Sequence, residues 1–383
     1  MSTAYKHDNR FADPAPAPDR QVPVALSIIV PTYNERANIG ELVSRVAATL
    51  TDVAWEIIVV DDNSPDGTAD HVRDLHALDP RVRVIQRIGR RGLSSACIEG
   101  MLSSSAPVLA VMDGDLQHDP ALLAGMYRAM RSGETDLVVA SRYVAGGALG
   151  EWAHERAVAS KIATKLARSL TGVELTDPMS GYFMLRREVI DEHAPALSGI
   201  GFKILLDIVL SCRDTLRIRE LPLVFGVRRC GVSKLSPGVA WEYILLLADK
   251  LLGHIVPVRF FAFAAVGALG VLIHLSVLAL MYMVLDTSFL AAQASATAVA
   301  IVGNFTINNI LTYSDRTLHG WRWFRGLASF AAICAVGAFA NVGVAGFLFG
   351  HHALWPVAAA AGIAASAVWN YGVSAQFTWG RGR

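Results

Sequence analysis

Residues 108–120 read VLAVMDGDLQHDP: an apolar run leads into two carboxylates one residue apart, Asp113 and Asp115, then Gln117, and closes on a helix-starting Asp-Pro. A strand throws successive side chains to opposite faces, but a chain leaving a strand can bend so that Asp113 and Asp115 converge on one cation. Hard divalent cations take oxygen ligands and bridge naturally to a diphosphate. Taken alone, an Asp-x-Asp also fits an ordinary surface turn. Its surroundings decide between the two.

Short β-branched-rich runs lie at 26–30, 57–60, 82–86, 108–112 and 137–140, and amphipathic helical patterns fill the gaps at 37–50, 68–78, 93–104 and 120–131. Strand and helix in alternation predict an α/β fold, a mostly parallel sheet covered on both faces. Such sheets bind ligands at the carboxyl ends of their strands. The polar clusters fall at those ends: Pro31-Thr-Tyr-Asn-Glu35 after the first run, Asp61-Asp-Asn-Ser-Pro-Asp-Gly67 after the second, Asp113-Gly-Asp115 after the fourth and Ser141-Arg-Tyr143 after the fifth. Each cluster could be a turn or a helix cap. All four on one edge point to a site.

Composition divides the chain. It has 383 residues, 53% hydrophobic and 17% charged, yet beyond Phe260 the only carboxylates are Asp286 and Asp315, and Lys and Glu are absent. A globular domain followed by a membrane domain accounts for this. The net charge of +1 gives no footprint for nucleic acid. Cys97, Cys212, Cys230 and Cys334 are scattered without a Cys-x-x-Cys, which argues against a zinc site or a disulfide framework. Residues 1–24, polar and Pro-rich without an apolar core, read as a disordered tail and not a signal peptide.

Residues 239–255 have a helical pattern with Ala240, Ile244, Leu247, Leu251 and Ile255 on one face and Glu242, Asp249 and Lys250 grouped away from it; a plain core helix fits too, but the place just before the first spanning segment favours a helix lying among lipid headgroups. Four apolar segments follow at 260–285, 289–313, 326–350 and 354–379, each long enough to cross a bilayer core of about 20 helical residues. Lys250 and Arg259 precede the first; Arg316, Arg322 and Arg325 join the second to the third; Arg381 and Arg383 follow the last. The other two connections carry no Lys or Arg, so the positive-inside bias predicts cytoplasmic termini and a cytoplasmic globular domain.

An internal repeat is visible as well. Asn304-Phe…Thr312-Tyr313 recurs as Asn370-Tyr…Thr378-Trp379, and Ala265-Val-Gly-Ala268 as Ala335-Val-Gly-Ala338, which predicts two hairpins in one orientation. Asn304, Asn308, His274, Asn341 and Asn370 lie at membrane depth, where amides either bond between helices or line a polar groove.

Taken in order, PTYNE, VVDDNSPDGT, MDGDLQHDP, SRY, DPMSGYFMLRR and FGVRRCGVSKLS resemble the family 2 glycosyltransferases of the GT-A fold. More narrowly they are similar to the polyprenyl-phosphate (dolichyl-phosphate) mannose synthases, and the apolar half resembles the GtrA-like four-helix membrane domain. The resemblance implies a GT-A catalytic domain over 25–236, an interface helix over 237–258 and an all-α membrane domain over 259–383. It implies an inverting, metal-dependent transfer of mannose from GDP-mannose to polyprenyl or dolichyl phosphate at the cytoplasmic face of the cell membrane. Pro31, Tyr33, Glu35 and Asp62 would line the nucleotide pocket. Asp113, Asp115 and Gln117 would surround magnesium or manganese, and Asp177 and Ser180 would stand beside the sugar. Gly114 and Asp119 depart from residues common in the family, but neither carries a required functional group.

A phosphate acceptor needs cations besides the metal, and Arg142, Arg156, Arg228 and Lys234 are the candidates, with Ser160 joining them by the family pattern. Lys161, Lys165 and Arg168 read as a solvated helix face. In many relatives a carboxylate near Asp177 is a general base. A phosphate acceptor is already anionic and needs much less base catalysis, so the sequence leaves that role open. Three rivals also remain open: a UDP-glucose-dependent transferase with the same acceptor, a processive polysaccharide synthase disfavoured by the absence of Gln-x-x-Arg-Trp, and a lipid-linked sugar translocator whose globular domain only binds. The oligomeric state is not legible.

Overall fold

The computed structural model describes residues 23–148, 175–199, 201–212, 216–226, 237–252, 257–313 and 316–380. Strands β1 (Leu26–Thr32), β2 (Trp55–Asp61), β3 (Val82–Gln86), β4 (Val108–Val111), β5 (Leu137–Ser141), β6 (Phe183–Arg186) and β7 (Ile218–Pro222) form one sheet in the order β3-β2-β1-β4-β6-β5-β7. All pairings are parallel except those of β6, which runs antiparallel to β4 and β5. Strand order turns back between β1 and β4, where Ile29 stands opposite Val111. A crevice opens beyond the carboxyl ends of strands at such a point.

Alternation along β1 explains the layers. Ile28 and Val30 face Ile39, Leu42 and Val46 of α1 (Arg36–Thr49) and Leu123 and Met126 of α4 (Leu122–Arg131); α2 (Thr68–Leu78) adds Val72. Ile29, on the other face, meets Cys97 and Met101 of α3 (Leu93–Leu102), with Ile190 of α5 (Arg187–His193) and Leu205 and Ile208 of α6 (Ile204–Cys212) in the same cluster. Both faces are covered, so the strands are apolar throughout. Each fully buried Ile or Val there contributes about 1.5–3 kcal/mol.

Helix α7 (Pro237–Leu252) departs from its sequence reading. Tyr243, Leu246 and Leu247 pack on Met179 and Leu206 of the globular domain, and Leu245 packs on Val258 and Ala262, while Ile244 is 53% exposed. Lys250, expected on the polar face, turns inward to Asp207 at 2.6 Å and also donates to the Ala196 carbonyl and the Ser211 hydroxyl. The side chains of Ala240, Glu242 and Leu251, and the whole of Ile255, lie outside the described residues. A helix apolar over most of its circumference has more than one burial face. Here the globular domain takes one of them.

Four helices long and apolar enough to cross a membrane follow: Val258–Val284, Phe289–Thr312, Trp321–Gly350 and Trp355–Phe377. The shortest, 23 residues, is about 35 Å long against a hydrocarbon core of about 30 Å. We call their α-helical parts α8 (Val258–Ala279), α9 (Phe289–Ile307), α10 (Trp321–Gly350) and α11 (Trp355–Phe377). The repeat is real in three dimensions, with a corrected register. Asn304 of α9 lies over Gly270 of α8, and Asn370 of α11 over Gly337 of α10, where a Cβ on either glycine would collide with the amide. Gly270, not Gly267, is therefore the counterpart of Gly337. The sequence match was displaced by three residues, nearly one helical turn, which keeps small residues on the same face.

Repeat partners also meet each other. Tyr313 stacks on Trp379 with centroids 4.2 Å apart, and Phe263 meets Phe330 at 6.3 Å. Like ends therefore share one end of the bundle, as two hairpins in the same orientation require. Asn308 and Asn309 are buried, and Asn309 accepts from the Trp379 indole at 3.0 Å.

Candidate active site

The donor side is built where β1 and β2 end. The Asp62 N–H donates to the Thr32 carbonyl, and the Asn34 N–H to the Ser64 hydroxyl, locking the two loops together. Pro31 stands opposite Val60, one pair before β1 and β2 part, and Glu35 accepts from the Asn38 amide at 2.7 Å. Tyr33 lies under the Arg91 guanidinium, 4.5 Å from its ring centre. Asp62 is buried, accepting from Arg87 and from the Gly92 N–H, each at 2.7 Å. Burial raises its pKa, and the Gly92 N–H and Arg87 oppose that rise. Arg87, 2% exposed and absent from the sequence reading, is the fixed cation of this side.

The Asp113–Gln117 turn shows how the motif bends. Leu116 has φ +62°, rare for a bulky residue, and its buried side chain sits in the core. That twist lets the Gln117 N–H donate to Asp115 Oδ1 at 3.1 Å. The Gln117 side-chain amide donates to the Gly226 carbonyl at 3.0 Å, which fixes the amide and leaves Oε1 as its acceptor end. Asp113 is braced by His118: its N–H donates to His118 Nδ1 at 3.1 Å, so the neutral ring carries its proton on Nε2, which lies 3.7 Å from Asp113 Oδ2. His118 is stacked on Tyr182. Gly181 comes so close that a Cβ would stand 3.1 Å from Asp113 Oδ2. Two carboxylates and an amide oxygen are the donor chemistry that magnesium or manganese requires, so the residues fit the expected cation.

Arg142 and Asp177 form a buried bidentate pair, both bonds 2.7 Å, reinforced by the Arg142 N–H. Asp177 is fully buried, and both its oxygens bind this one arginine. It orients the guanidinium, a different role from attacking a hydroxyl proton. The Ser180 hydroxyl donates to the Ala140 carbonyl at 2.7 Å and accepts from the Tyr182 N–H, so it shapes the Asp177–Gly181 loop. Lys203, also missed from sequence, precedes α6 and donates to the Met179 carbonyl within that loop at 3.3 Å. Desolvation, then the charge of Arg142, pushes its pKa down to about 8, with Asp177 and Asp113 opposing. Arg156, Ser160, Arg228 and Lys234 lie outside the described residues.

The Asp113 turn thus lies against the loop that holds Asp177 and Arg142, and four apolar helices follow in the chain. Two family models match these two parts: Glycosyl transferase family 2 over residues 27–194 and the GtrA/DPMS transmembrane domain over 262–379. The dolichol-phosphate mannosyltransferase of Pyrococcus furiosus is 38% identical over 76% of this chain and 81% of its own. The chain belongs to the dolichol-phosphate mannosyltransferase family. Within this family, the dolichol-phosphate mannosyltransferase of Saccharomyces cerevisiae is 36% identical, over 59% of this chain and 86% of its own. The polyprenol monophosphomannose synthase of Mycolicibacterium smegmatis is 38% identical, over 58% and 85%. This mannosyltransferase-family chain is a glycosyltransferase and a multi-pass membrane protein, with a GT-A-like domain before four spanning helices.

Arg87, His118 and Lys203 stand in unremarkable sequence, and only the fold carries them to the crevice. A weak signal existed for His118 alone, which lies inside the Asp-x-Asp block.

Proposed function

We propose that the chain transfers mannose from GDP-mannose to a polyprenyl phosphate, inverting the anomeric carbon, with the globular domain and both termini in the cytoplasm. The observation that carries this reading is the buried Arg142, held by both oxygens of Asp177. A cation fixed in that way suits a phosphate nucleophile beside a metal-bearing carboxylate. The relatives support both mannose and the lipid acceptor, and the charge of the connections supports the topology.

In this reading, Pro31, Tyr33, Glu35 and Asp62 bind the nucleoside, and the turn at Leu116 presents Asp113, Asp115 and Gln117 to the diphosphate. A magnesium or manganese ion held there would neutralise the departing GDP. Arg142 orients the lipid phosphate with one oxygen toward the anomeric carbon, and Arg156, Ser160, Arg228 and Lys234 complete its cradle. That oxygen forms the new bond as the bond to GDP breaks, and the electron pair leaves on the diphosphate. No proton has to be removed from the nucleophile. Asp177 accordingly serves as the anchor of Arg142.

The test is purified protein in detergent with polyprenyl phosphate, magnesium or manganese, and labelled GDP-mannose or UDP-glucose in parallel. Lipid-extractable label from GDP-mannose alone is expected. Label from UDP-glucose alone would move the donor, and release of no nucleotide from either would favour a translocator.

A further inference from the structure

Lys203 is a cation that the mechanism above leaves unused. Its half-buried ammonium lies above the Phe202 ring at 4.4 Å and donates to a backbone carbonyl, that of Met179. Among the described residues no carboxylate lies within 4.0 Å of it. A half-buried cation with no counter-ion within reach is a ready partner for an anion entering beside Arg142.

The place selects the anion. The Met179 carbonyl sits between Asp177, which holds Arg142, and Gly181, which touches Asp113. Lys203 is therefore bonded into the loop whose Asp177 holds Arg142. Its support comes from the membrane-proximal side: Met179 and Leu206 pack under Tyr243, Leu246 and Leu247 of α7. We infer that Lys203 binds the phosphate monoester of the lipid acceptor together with Arg142, as a further substrate-binding cation that α7 holds in place. This rests on the functional reading proposed above. Lysine suits the task as a point charge, whereas Arg142 supplies the planar fork.

The test measures equilibrium binding of farnesyl phosphate, of inorganic phosphate and of GDP with manganese to the full-length protein in detergent. Wild type is compared with Lys203→Met and Lys203→Arg, and unfolding temperatures are recorded without ligand. Lys203→Met is expected to weaken farnesyl phosphate at least tenfold, leave GDP with manganese within twofold, and raise the ligand-free unfolding temperature, because it removes a half-buried charge with no counter-ion within reach. A merely structural lysine would lower that temperature. Lys203→Arg should restore part of the affinity. Unchanged farnesyl phosphate binding in Lys203→Met, an equal loss of GDP, or inorganic phosphate bound as tightly as farnesyl phosphate would each overturn the assignment. So would wild type that binds no farnesyl phosphate. Wild type that binds it but transfers no mannose would end the functional reading alone, and the lysine would still be judged by its binding loss.

Discussion

His118 does for Asp113 what Asp177 does for Arg142: each fixes a charged group before substrate arrives. The imidazole is buried, stacked on Tyr182 at 5.0 Å, accepts the Asp113 N–H, and stands 3.7 Å from the Asp113 carboxylate. His118→Ala should leave the fold intact and weaken manganese by about 10–100-fold, the usual effect of losing a group that orients a metal ligand. Titration of manganese by electron paramagnetic resonance, with no turnover, reads this directly. Unchanged affinity would reduce the histidine to core packing. The sequence showed Asp113, Asp115 and Gln117 because their spacing carries information. A histidine three residues beyond Asp115, or a lysine ahead of an apolar helix, looks like any other until strands distant in sequence are brought together.

Among the elements, α7 moves the boundary between the two halves. Lys250 and the fully buried Asp207 pair at 2.6 Å, and Asp207 also accepts from the N–H groups of Ser198 and Gly199. Removing one partner of a buried pair strands the other's charge, so Lys250→Met should cost about 3–5 kcal/mol. Thermal unfolding of the detergent-solubilised protein would show it, and a shift within error would mean that Asp207 is satisfied by the backbone alone. A globular fragment cut near Pro237 would also expose Met179 and Leu206, so the cut belongs after Leu252. Which face of α7 packs was not legible because a mostly apolar helix beside a membrane segment fits lipid as well as protein, and periodicity does not tell them apart. The first five strands were legible since each is a short β-branched run. β7 was not: Ile218–Pro222 is short, half-exposed, at the sheet edge and closed by a proline. Nor could the antiparallel direction of β6 be read, since pairing partners fix it and local residues do not.

Over the whole molecule, the membrane bundle is two similar hairpins joined through aromatic rings at the end that carries the arginine-rich connections. Tyr313, Trp379, Phe305 and Phe330 form that junction, with Tyr313 and Trp379 only 8° from parallel. A double-mutant cycle with Tyr313→Leu and Trp379→Leu should give a coupling energy of about 0.5–1.5 kcal/mol in unfolding. Additive effects would mean the hairpins are held by something else. A ring stacked on its own counterpart cannot drift alone, since each forms the other's wall. One difference has nonetheless entered: Trp379 carries an N–H, bound by Asn309, and the residue matching Asn309 in the second hairpin is Ala375. Two copies of the second hairpin would bury that indole N–H without an acceptor, at a cost of about 1–3 kcal/mol. Two similar halves have thus become a fixed left and right, and exchanging them would break the hydrogen bond that closes the junction.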